Sequence, residues 1–439
     1  MAGYVPGTPD DRQAMLESLG VRSVEDLLTP IPRAVRLAEP LHLPPGLGEA
    51  EVRDRIAELA ERNTRYDAVF RGAGAYRHFI PAVVRSLATR EEFVTAYTPY
   101  QAEISQGVLQ AIFEYQTLIC ELTGMDAANA SVYDGAAAAM EAVRMCAGRG
   151  RVRAAVSEGV HPHVRQVLRT GCAAAGIALA EVPLSGGVTD RAAFEGMPGD
   201  DIACLLVQSP NYLGCIEDMD TLADAAHTAG ALAVASVNPI ALGILSTPGE
   251  AGFDIAVGEG QALGGSMSFG GPYLGFMACR QPLMRKLPGR IVGQTTDSAG
   301  RRGYVLTLQA REQHIRREKA GSNICSNEAH NALTAAVYLT AMGPRGLRET
   351  AERCLLRAHE LAGALIQVPG IALAFDAPFF HEFVTRHERP VAPLMAALSR
   401  KGILGGLPLS EHTALWCATE MNTSAQIERV AAIAAEANR

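Results

Sequence analysis

The chain has 439 residues, of which 48% are hydrophobic and 20% charged, and its formal net charge is −8. A chain of this length can bury a large core in two or three structural units, and its negative charge argues against binding to nucleic acid or to an anionic membrane. No apolar run reaches the ~18 residues that a membrane span needs. The nine scattered cysteines include no CxxC pair, which favours a reducing cytoplasm over a disulfide framework or a zinc site.

The first part of the chain is predicted to be a helical arm followed by irregular loops. Val52, Ile56 and Leu59 recur at helical spacing in EAEVRDRIAELAERN. The stretches GAGAYRHFIP and AYTPYQAEISQG are too rich in Tyr, Pro and Gly for a regular helix. A long apolar helix, GVLQAIFEYQTLICELTG, is predicted to end at Gly124. We assign residues 1–125 to this arm and its loops.

In residues 126–340, short apolar runs alternate with amphipathic helical ones. The runs predicted as strands are VRAAV, IALAEVPL, IACLLVQ, ALAVASV, FDIAVG and YLGFMAC. The helices between several of them are AAAAMEAVRMCA, HPHVRQVLRTGCAAA and DMDTLADAAHTAG. This alternation predicts an α/β domain with a large, mostly parallel sheet covered by helices on both faces. Ligands of such sheets lie in the loops at the carboxyl ends of the strands.

Residues 341–439 are predicted to form a small C-terminal α+β domain. It starts with a long helix, GPRGLRETAERCLLRAHELAGALIQ. The strands IALAF, FHEFVTR and ALWCATE and the helices VAPLMAALSRKGI and SAQIERVAAIAAEAN complete it.

The α/β segment resembles the fold-type I pyridoxal-phosphate (PLP) enzymes, but it lacks their three chemical determinants. Those enzymes use a lysine for the Schiff base, an acid for the pyridinium nitrogen, and a helix N-terminus with a small hydroxyl residue for the phosphate. The corresponding positions here are Gln261, Ser236 and Asp134. The three lysines of the chain, Lys286, Lys319 and Lys401, lie elsewhere. Asp134 alone is also an ordinary helix N-cap, but the three losses together predict a chain that binds no PLP.

Longer motifs carry a sharper resemblance. They are GAGAYRHFIPAVV, AYTPYQAEISQGVLQAIFEYQTLICELTGMDAANASVYDGA, GEGQALGGSMSFGGPYLGF and REKAGSNICSN. Over roughly residues 1–434 the chain resembles the glycine cleavage system P-protein family, glycine dehydrogenase (decarboxylating), and within it the α-type subunit (subunit 1) of the two-subunit form. These motifs are long and unusual, so chance agreement is improbable.

The resemblance implies a division of labour between two chains. A β-type subunit would carry PLP, the present chain would bind no cofactor and no metal, and the assembly is expected to be α2β2. This assembly would decarboxylate glycine, release carbon dioxide and transfer the aminomethyl group to the lipoyl arm of H-protein. The isolated chain is expected to be inactive.

The active sites of fold-type I enzymes lie at a subunit interface, so the resemblance also implies residues that reach the partner's pocket. The candidates are Arg77, His78, Tyr97, Tyr100, Gln101, Glu103 and Ser105 on the N-terminal side, and Lys319, Ser322 and Asn323 after the sheet. Plainer roles stay open for all of them. Arg77 and His78 can hydrogen-bond a turn, the tyrosines can pack at an interface, and the basic run around Lys319 can be a solvated helix face.

Two other functions compete with this interpretation. A self-sufficient PLP decarboxylase or desulfurase would need a lysine near residue 261. A non-catalytic scaffold that docks H-protein would place no residue in any active site, and the sequence is compatible with it.

Overall fold

The computed structural model describes residues 7–37, 39, 41–95, 100–148, 150–311, 313–320 and 326–438. The chain divides into two compact units, Met1–Thr64 and Arg65–Arg439. The helices of the first unit are α1 (Pro9–Ser18), α2 (Val24–Leu27) and α3 (Glu49–Glu61). Among the described helices of both units, none is long and apolar enough to cross a bilayer.

The N-termini of α1 and α2 are capped, but the helices of the first unit bury few side chains. Thr8 caps α1, because its hydroxyl accepts from the backbone N–H of Asp11 and the Asp11 carboxylate accepts in return from Thr8. Leu16 is the only buried apolar side chain among the described residues of this unit. The apolar positions of α3 are 41–59% exposed, although their spacing is helical. The described helices of this unit therefore have almost no apolar core of their own.

The second unit holds the remaining helices and all described strands. Its helices are α4 (Ala82–Ala88), α5 (Glu91–Val94), α6 (Gln106–Thr123), α7 (Gly135–Cys146), α8 (Pro162–Ala175), α9 (Arg191–Glu195), α10 (Met219–Thr228), α11 (Gln313–Arg316), α12 (Ser326–Ile366), α13 (Val391–Arg400) and α14 (Ser424–Ala437). Its strands are β1 (Ala68–Val69), β2 (Ala127–Ala128), β3 (Arg153–Ser157), β4 (Ala178–Val182), β5 (Leu184–Ser185), β6 (Val188–Thr189), β7 (Ile202–Ser209), β8 (Leu232–Val237), β9 (Ile255–Glu259), β10 (Gly275–Cys279), β11 (Ile291–Thr296), β12 (Arg302–Thr307), β13 (Ile371–Leu373), β14 (Glu382–His387), β15 (Ile403–Leu404), β16 (Leu407–Pro408) and β17 (Thr413–Cys417).

The large sheet has seven strands in the order β2-β10-β9-β8-β7-β3-β4. The five strands from β9 to β4 are parallel, and β10 runs antiparallel to both β9 and β2. Alternate residues of β8 enter different cores, since Ala233 and Ala235 belong to one apolar cluster and Val234 to another. Both faces of the sheet are thus covered, which confirms the mostly parallel α/β sheet predicted from the alternating pattern.

The C-terminal part contains a four-stranded antiparallel sheet in the order β13-β14-β17-β16. Its core includes Trp416, Phe383 and Leu361, so the small α+β region is confirmed. The helix α12 starts well before the predicted Gly343, and Gly343 (φ 61°, ψ 178°) interrupts it ahead of Pro344. The β11–β12 hairpin was not predicted, because no short two-residue turn marks it.

Candidate active site

A cavity of about 310 Å³ lies at the carboxyl ends of the central parallel strands. Its walls come from five parts of the second unit: the turn before α4, the start of α7, the start of α8, the ends of β7, β8 and β9, and the start of β14. The side chains and backbone that line it are those of Ala73, Gly74, Ala75, Tyr76, Asp134, Gly135, Ala136, His161, His163, Val164, Gln208, Pro210, Ser236, Val237, Asn238, Pro239, Glu259, Gln261, Ala262, Tyr273, His381 and Glu382. This is the edge at which a doubly wound sheet places its ligands.

The three positions singled out in the sequence meet in this cavity. Gln261, Ser236 and Asp134 all line it, although up to 127 residues separate them along the chain. Ser236 lies in β8, and Gln261 lies two residues after the end of β9. Asp134 directly precedes α7. The fold therefore brings together the positions where a lysine, an acid and a phosphate turn would be expected.

Gln261 is a structural tie between two loops. It is 4% exposed, and its Oε1 accepts from the backbone N–H of Tyr76 at 3.2 Å. Its Nε2 donates to the carbonyl oxygens of Tyr76 (3.1 Å) and Gly265 (2.7 Å). Both amide donors and the amide oxygen are thus used in holding the turn before α4 against the glycine-rich segment, and an amide cannot form a Schiff base.

The N-terminus of α7 faces the cavity and is occupied by carboxylates. Asp134 caps it, because its Oδ1 accepts from the backbone N–H of Ala137 at 2.7 Å. Glu259 reaches it from the end of β9, and its Oε2 accepts from the backbone N–H of Gly135 at 3.0 Å. Burial raises the pKa of Glu259 to about 7, although three backbone N–H donors act in the opposite direction.

Another carboxylate of the cavity lining, that of Glu382, is buried. Glu382 is 3% exposed, and it accepts from the hydroxyl of Tyr76 (2.7 Å) and from the backbone N–H of Ala73 (2.6 Å). Burial raises the pKa of Glu382 to about 7. The ring of His381 lies 4.5 Å from that of Tyr76, and burial holds the pKa of His381 well below its usual value.

His161 lines the cavity and holds the lining turn that contains Ala73. Its Nε2–H donates to the carbonyl oxygen of Ala73 at 2.9 Å, and its Nδ1 accepts from the backbone N–H of His163 at 3.1 Å. Burial lowers the pKa of His161, which keeps the ring neutral in this arrangement.

The charge of the lining determines what the cavity can bind. Among its described lining residues are three carboxylates, three histidines and neither a lysine nor an arginine. None of these described lining residues offers an amine for an aldimine or a lysine or arginine to hold a phosphate dianion. The residues present therefore do not fit PLP.

The predicted residues at positions 77 and 78 lie beside the cavity rather than in it. Nδ1 of His78 contacts Oε2 of Glu420 at 2.9 Å, and both side chains are almost fully buried. The backbone carbonyl of Arg77 accepts from the hydroxyl of Thr419 at 2.8 Å. Cys354 donates to the same Glu420 oxygen, and the three ligating atoms lie within 4.8 Å of one another. Hydrogen bonds account for these contacts, which attach the turn before α4 to the C-terminal region.

The next group of predicted residues precedes α6. Tyr100 is 7% exposed and packs in a small core with Leu109 and Tyr304, under the guanidinium of Arg290 at 3.9 Å from its ring centroid. Gln101 and Glu103 are exposed, and Ser105 is the buried N-cap residue of α6. None of these four lines the cavity. Tyr97, Ser322, Asn323 and the side chain of Lys319 lie outside the described residues.

Several lining residues were not singled out from the sequence. Tyr76 lies within the quoted GAGAYRHFIP, and Glu259 lies two residues before Gln261. Glu259 directly follows the apolar run FDIAVG. An acid at the end of a buried strand indicates a specific partner, because a charge that is buried without one is costly. His381 and Glu382 had no such signal, since they come from a distant strand of the C-terminal sheet.

Comparisons with known proteins agree on one family. The profile of the family described as "Glycine cleavage system P-protein" matches residues 2–434. The chain is 51% identical to the probable glycine dehydrogenase (decarboxylating) subunit 1 of Moorella thermoacetica, and the match covers 98% of each chain. It is 49% identical to the protein of the same name from Desulfitobacterium hafniense, again over 98% of each.

Solved structures give the same result. The crystal structure of a glycine decarboxylase (P-protein) of the glycine cleavage system, in inhibitor-bound form, superposes with a TM-score of 0.93 at 44% identity, covering 99% of this chain and 100% of the other. An aspartate aminotransferase from Thermus thermophilus superposes with a TM-score of 0.58 at 16% identity, over 84% of this chain and 99% of the other. The second likeness shows only that the fold is that of the PLP-dependent transferases.

Proposed function

The chain belongs to the glycine cleavage system P-protein family, and on that premise we propose that it is the subunit of a two-chain P-protein that binds no PLP of its own. With a PLP-carrying β-type partner it decarboxylates glycine and transfers the aminomethyl group to the lipoyl arm of H-protein, with release of carbon dioxide. The relatives named subunit 1 support a partner subunit. The observation that carries the proposal is the cavity itself, which has an amide at the lysine position and carboxylates at the phosphate position.

In this proposal the chain shapes and completes the partner's active site instead of supplying chemistry in its own cavity. The tie made by Gln261 and the tie between His78 and Glu420 fix the turn before α4 from both sides. Rigid support of this kind is what a neighbouring pocket needs from a chain that lends it loops. The segment 319–327 after the large sheet is proposed to supply polar groups to that pocket, with Lys319, Ser322 and Asn323 as the contributors.

The first unit supplies the apolar surface for assembly. More than half of the exposed large apolar side chains described in this chain lie before residue 65, and Leu37 and Leu43 are each 74% exposed. Exposed apolar surface on this scale marks a protein–protein interface. Phe269, in the glycine-rich segment, is 94% exposed with a φ of 49°, a conformation that non-glycine residues seldom adopt. We assign both regions to contacts with the partner subunit in an α2β2 assembly.

Co-purification tests the assembly. The chain and a β-type subunit should elute as one species with two copies of each, because obligate interfaces typically bury upwards of ~2,000 Å². Glycine–bicarbonate exchange with H-protein should require both chains. Separate elution at micromolar concentration, or exchange activity in the isolated chain, would contradict the proposal.

A second function, a scaffold that docks H-protein, retains support from one observation. The side chains of His78 and Tyr100 are buried in contacts within the chain, and no described candidate residue lines the cavity. Point changes that alter turnover without altering assembly would favour the subunit that completes the active site. A self-sufficient PLP decarboxylase or desulfurase has no comparable support, because the described cavity lining contains no lysine.

A further inference from the structure

The carboxylate of Glu259 makes contacts that an anionic ligand would otherwise make. Its Oε2 accepts from the backbone N–H of Gly135, the first residue of α7. Its Oε1 accepts from the backbone N–H groups of Gln261 (3.0 Å) and Leu274 (3.1 Å). One side chain thus gathers three backbone donors, from a helix start, the glycine-rich segment and the approach to β10. Converging backbone N–H groups at a helix N-terminus are the usual means of binding phosphate.

The space at this helix end is matched to Glu259. A Cβ atom at Gly135 would lie 2.9 Å from the backbone nitrogen of Glu259 and 3.1 Å from its Cβ. Contacts under 3.0 Å require something to move, so glycine is needed for β9 to approach α7 this closely. The carboxylate of Glu259 then reaches the backbone N–H of Gly135, the first residue of the helix.

Asp134 acts at the same helix end but has a different contact. Its Oδ1 accepts from the backbone N–H of Ala137, two residues further into the helix than Gly135, and Asp134 is exposed. Together the two acids place negative charge where the positive end of the helix dipole would attract a phosphate. The described lining residues provide no lysine or arginine to offset them.

We propose that Glu259 is an internal substitute for the cofactor's phosphate: its carboxylate occupies the anion site at the start of α7 and so excludes phosphate esters from the cavity. This inference rests on the proposed function, since it explains how a chain of this fold satisfies its phosphate site without PLP. It makes Glu259 a specificity-determining residue and leaves Asp134 as the helix cap. It also explains why a lysine at position 261 would not by itself restore a PLP site.

The test uses the full chain and inorganic phosphate as the probe. Phosphate binding is measured by calorimetry and by ³¹P NMR at pH 8, with chloride replacing phosphate at constant ionic strength. Glu259→Ala frees three backbone donors and removes one negative charge, so it should bind phosphate at least about tenfold more tightly than the wild-type chain, as expected when charge-assisted hydrogen bonds become available. The wild-type chain should show no saturable binding.

Glu217→Ala is the matched control. Glu217 is a buried carboxylate that accepts from the backbone N–H of Thr189 (2.9 Å) and from the amide of Asn211 (2.8 Å), away from α7. Its loss should perturb the chain in a similar way without creating phosphate affinity. Equal phosphate binding by the Glu217 and Glu259 variants would overturn the proposal, because the effect would then follow from removing any buried acid.

Asp134→Ser separates the two acids at the helix end. Serine keeps the cap, and Glu259 keeps all its contacts, so this variant should fold and should bind no phosphate. Phosphate binding by Asp134→Ser alone would overturn the proposal, because it would show that Glu259 does not fill the site.

If Glu259→Ala folds only when phosphate is present, that dependence supports the proposal, and failure to fold in both buffers contradicts it. A PLP aldimine in the wild-type chain would instead refute the proposed function.

Discussion

The two units of this chain differ in whether their apolar residues are buried within the chain. In the large sheet, β7 and β8 are buried almost throughout, and their apolar residues enter two cores. In the N-terminal unit, α1 begins with a capping box and α3 has apolar residues at helical spacing, yet Leu16 alone is buried among the described apolar residues of the unit. Sequence pattern predicts the strands of the large sheet and the helices of the N-terminal unit, but only burial shows whether an apolar face already has a partner.

This difference separates residues that stabilise the chain from residues that we expect to stabilise the assembly. An apolar side chain in the sheet contributes to the free energy of unfolding of this chain. An apolar side chain in the arm contributes little until another surface covers it. The predictions below test this separation.

The largest effect is expected in the sheet. Phe276 in β10 is fully buried, so Phe276→Ala should lower the free energy of unfolding by about 3–5 kcal/mol in urea titrations. Ile56→Ala in α3 removes a side chain that is 59% exposed and should change it by less than about 0.5 kcal/mol. Similar losses for the two variants would remove the distinction between the units.

Substitutions in the N-terminal unit should weaken assembly with the partner and leave the stability of the isolated chain nearly unchanged. Val35, Leu37 and Leu43 are each more than 70% exposed, so replacing all three by Ser should leave the thermal midpoint of the isolated chain nearly unchanged. Affinity for the β-type subunit should fall at least about 100-fold, because each residue loses a buried apolar contact in the assembly. Leu356→Ser, at an exposed site in α12, is the control and should change neither quantity. Unchanged affinity of the triple variant would place the interface elsewhere.

The same contrast explains how much of the fold was predictable. Six of the seven strands of the large sheet and the C-terminal helices followed from local pattern, since each buries apolar residues at its own period. The helical segment that precedes Gly343 was not predicted. Gly343 and Pro344 do mark the start of the predicted helix, because Gly343 has a non-helical conformation.

A smaller effect is predicted for the segment after the sheet. Asn323→Ala should remove a neutral hydrogen bond in the partner's pocket, a loss of about 1–3 kcal/mol, which corresponds to a roughly 5- to 150-fold decrease in turnover. Glycine–bicarbonate exchange with H-protein measures it, and gel filtration should show an intact assembly. Normal exchange in both Asn323→Ala and Lys319→Ala would make this segment structural.

The smallest effect concerns the buried acid on the cavity wall. The pKa of Glu382 is about 7 in the fold, above its ordinary value of 4.5, so the folded chain binds more protons between these values and loses stability as pH rises through that window. Glu382→Gln removes this loss while keeping the shape. As the pH rises from 5 to 8, the free energy of unfolding of this variant should increase by about 1–2 kcal/mol relative to that of the wild-type chain, as measured by urea titrations. Parallel pH dependence of the two proteins would show that Glu382 does not titrate in this range.

The site was predictable in one respect and not in another. Gln261, Ser236 and Asp134 could be located because each lies at a fixed distance from a strand or helix end. Tyr76 lies 58 residues before Asp134, and His381 lies 120 residues after Gln261. No local pattern encodes the meeting of such distant residues in one cavity.

The absorbance spectrum of the isolated chain with excess PLP, before and after borohydride reduction, tests the central claim most directly. An amide at position 261 and carboxylates at the start of α7 predict no aldimine band and no pyridoxyl label on any lysine after proteolysis and mass spectrometry. The complex with the β-type subunit should show the band, with the label on the partner chain. A stable aldimine in the isolated chain, mapped to Lys286, Lys319 or Lys401, would contradict the account.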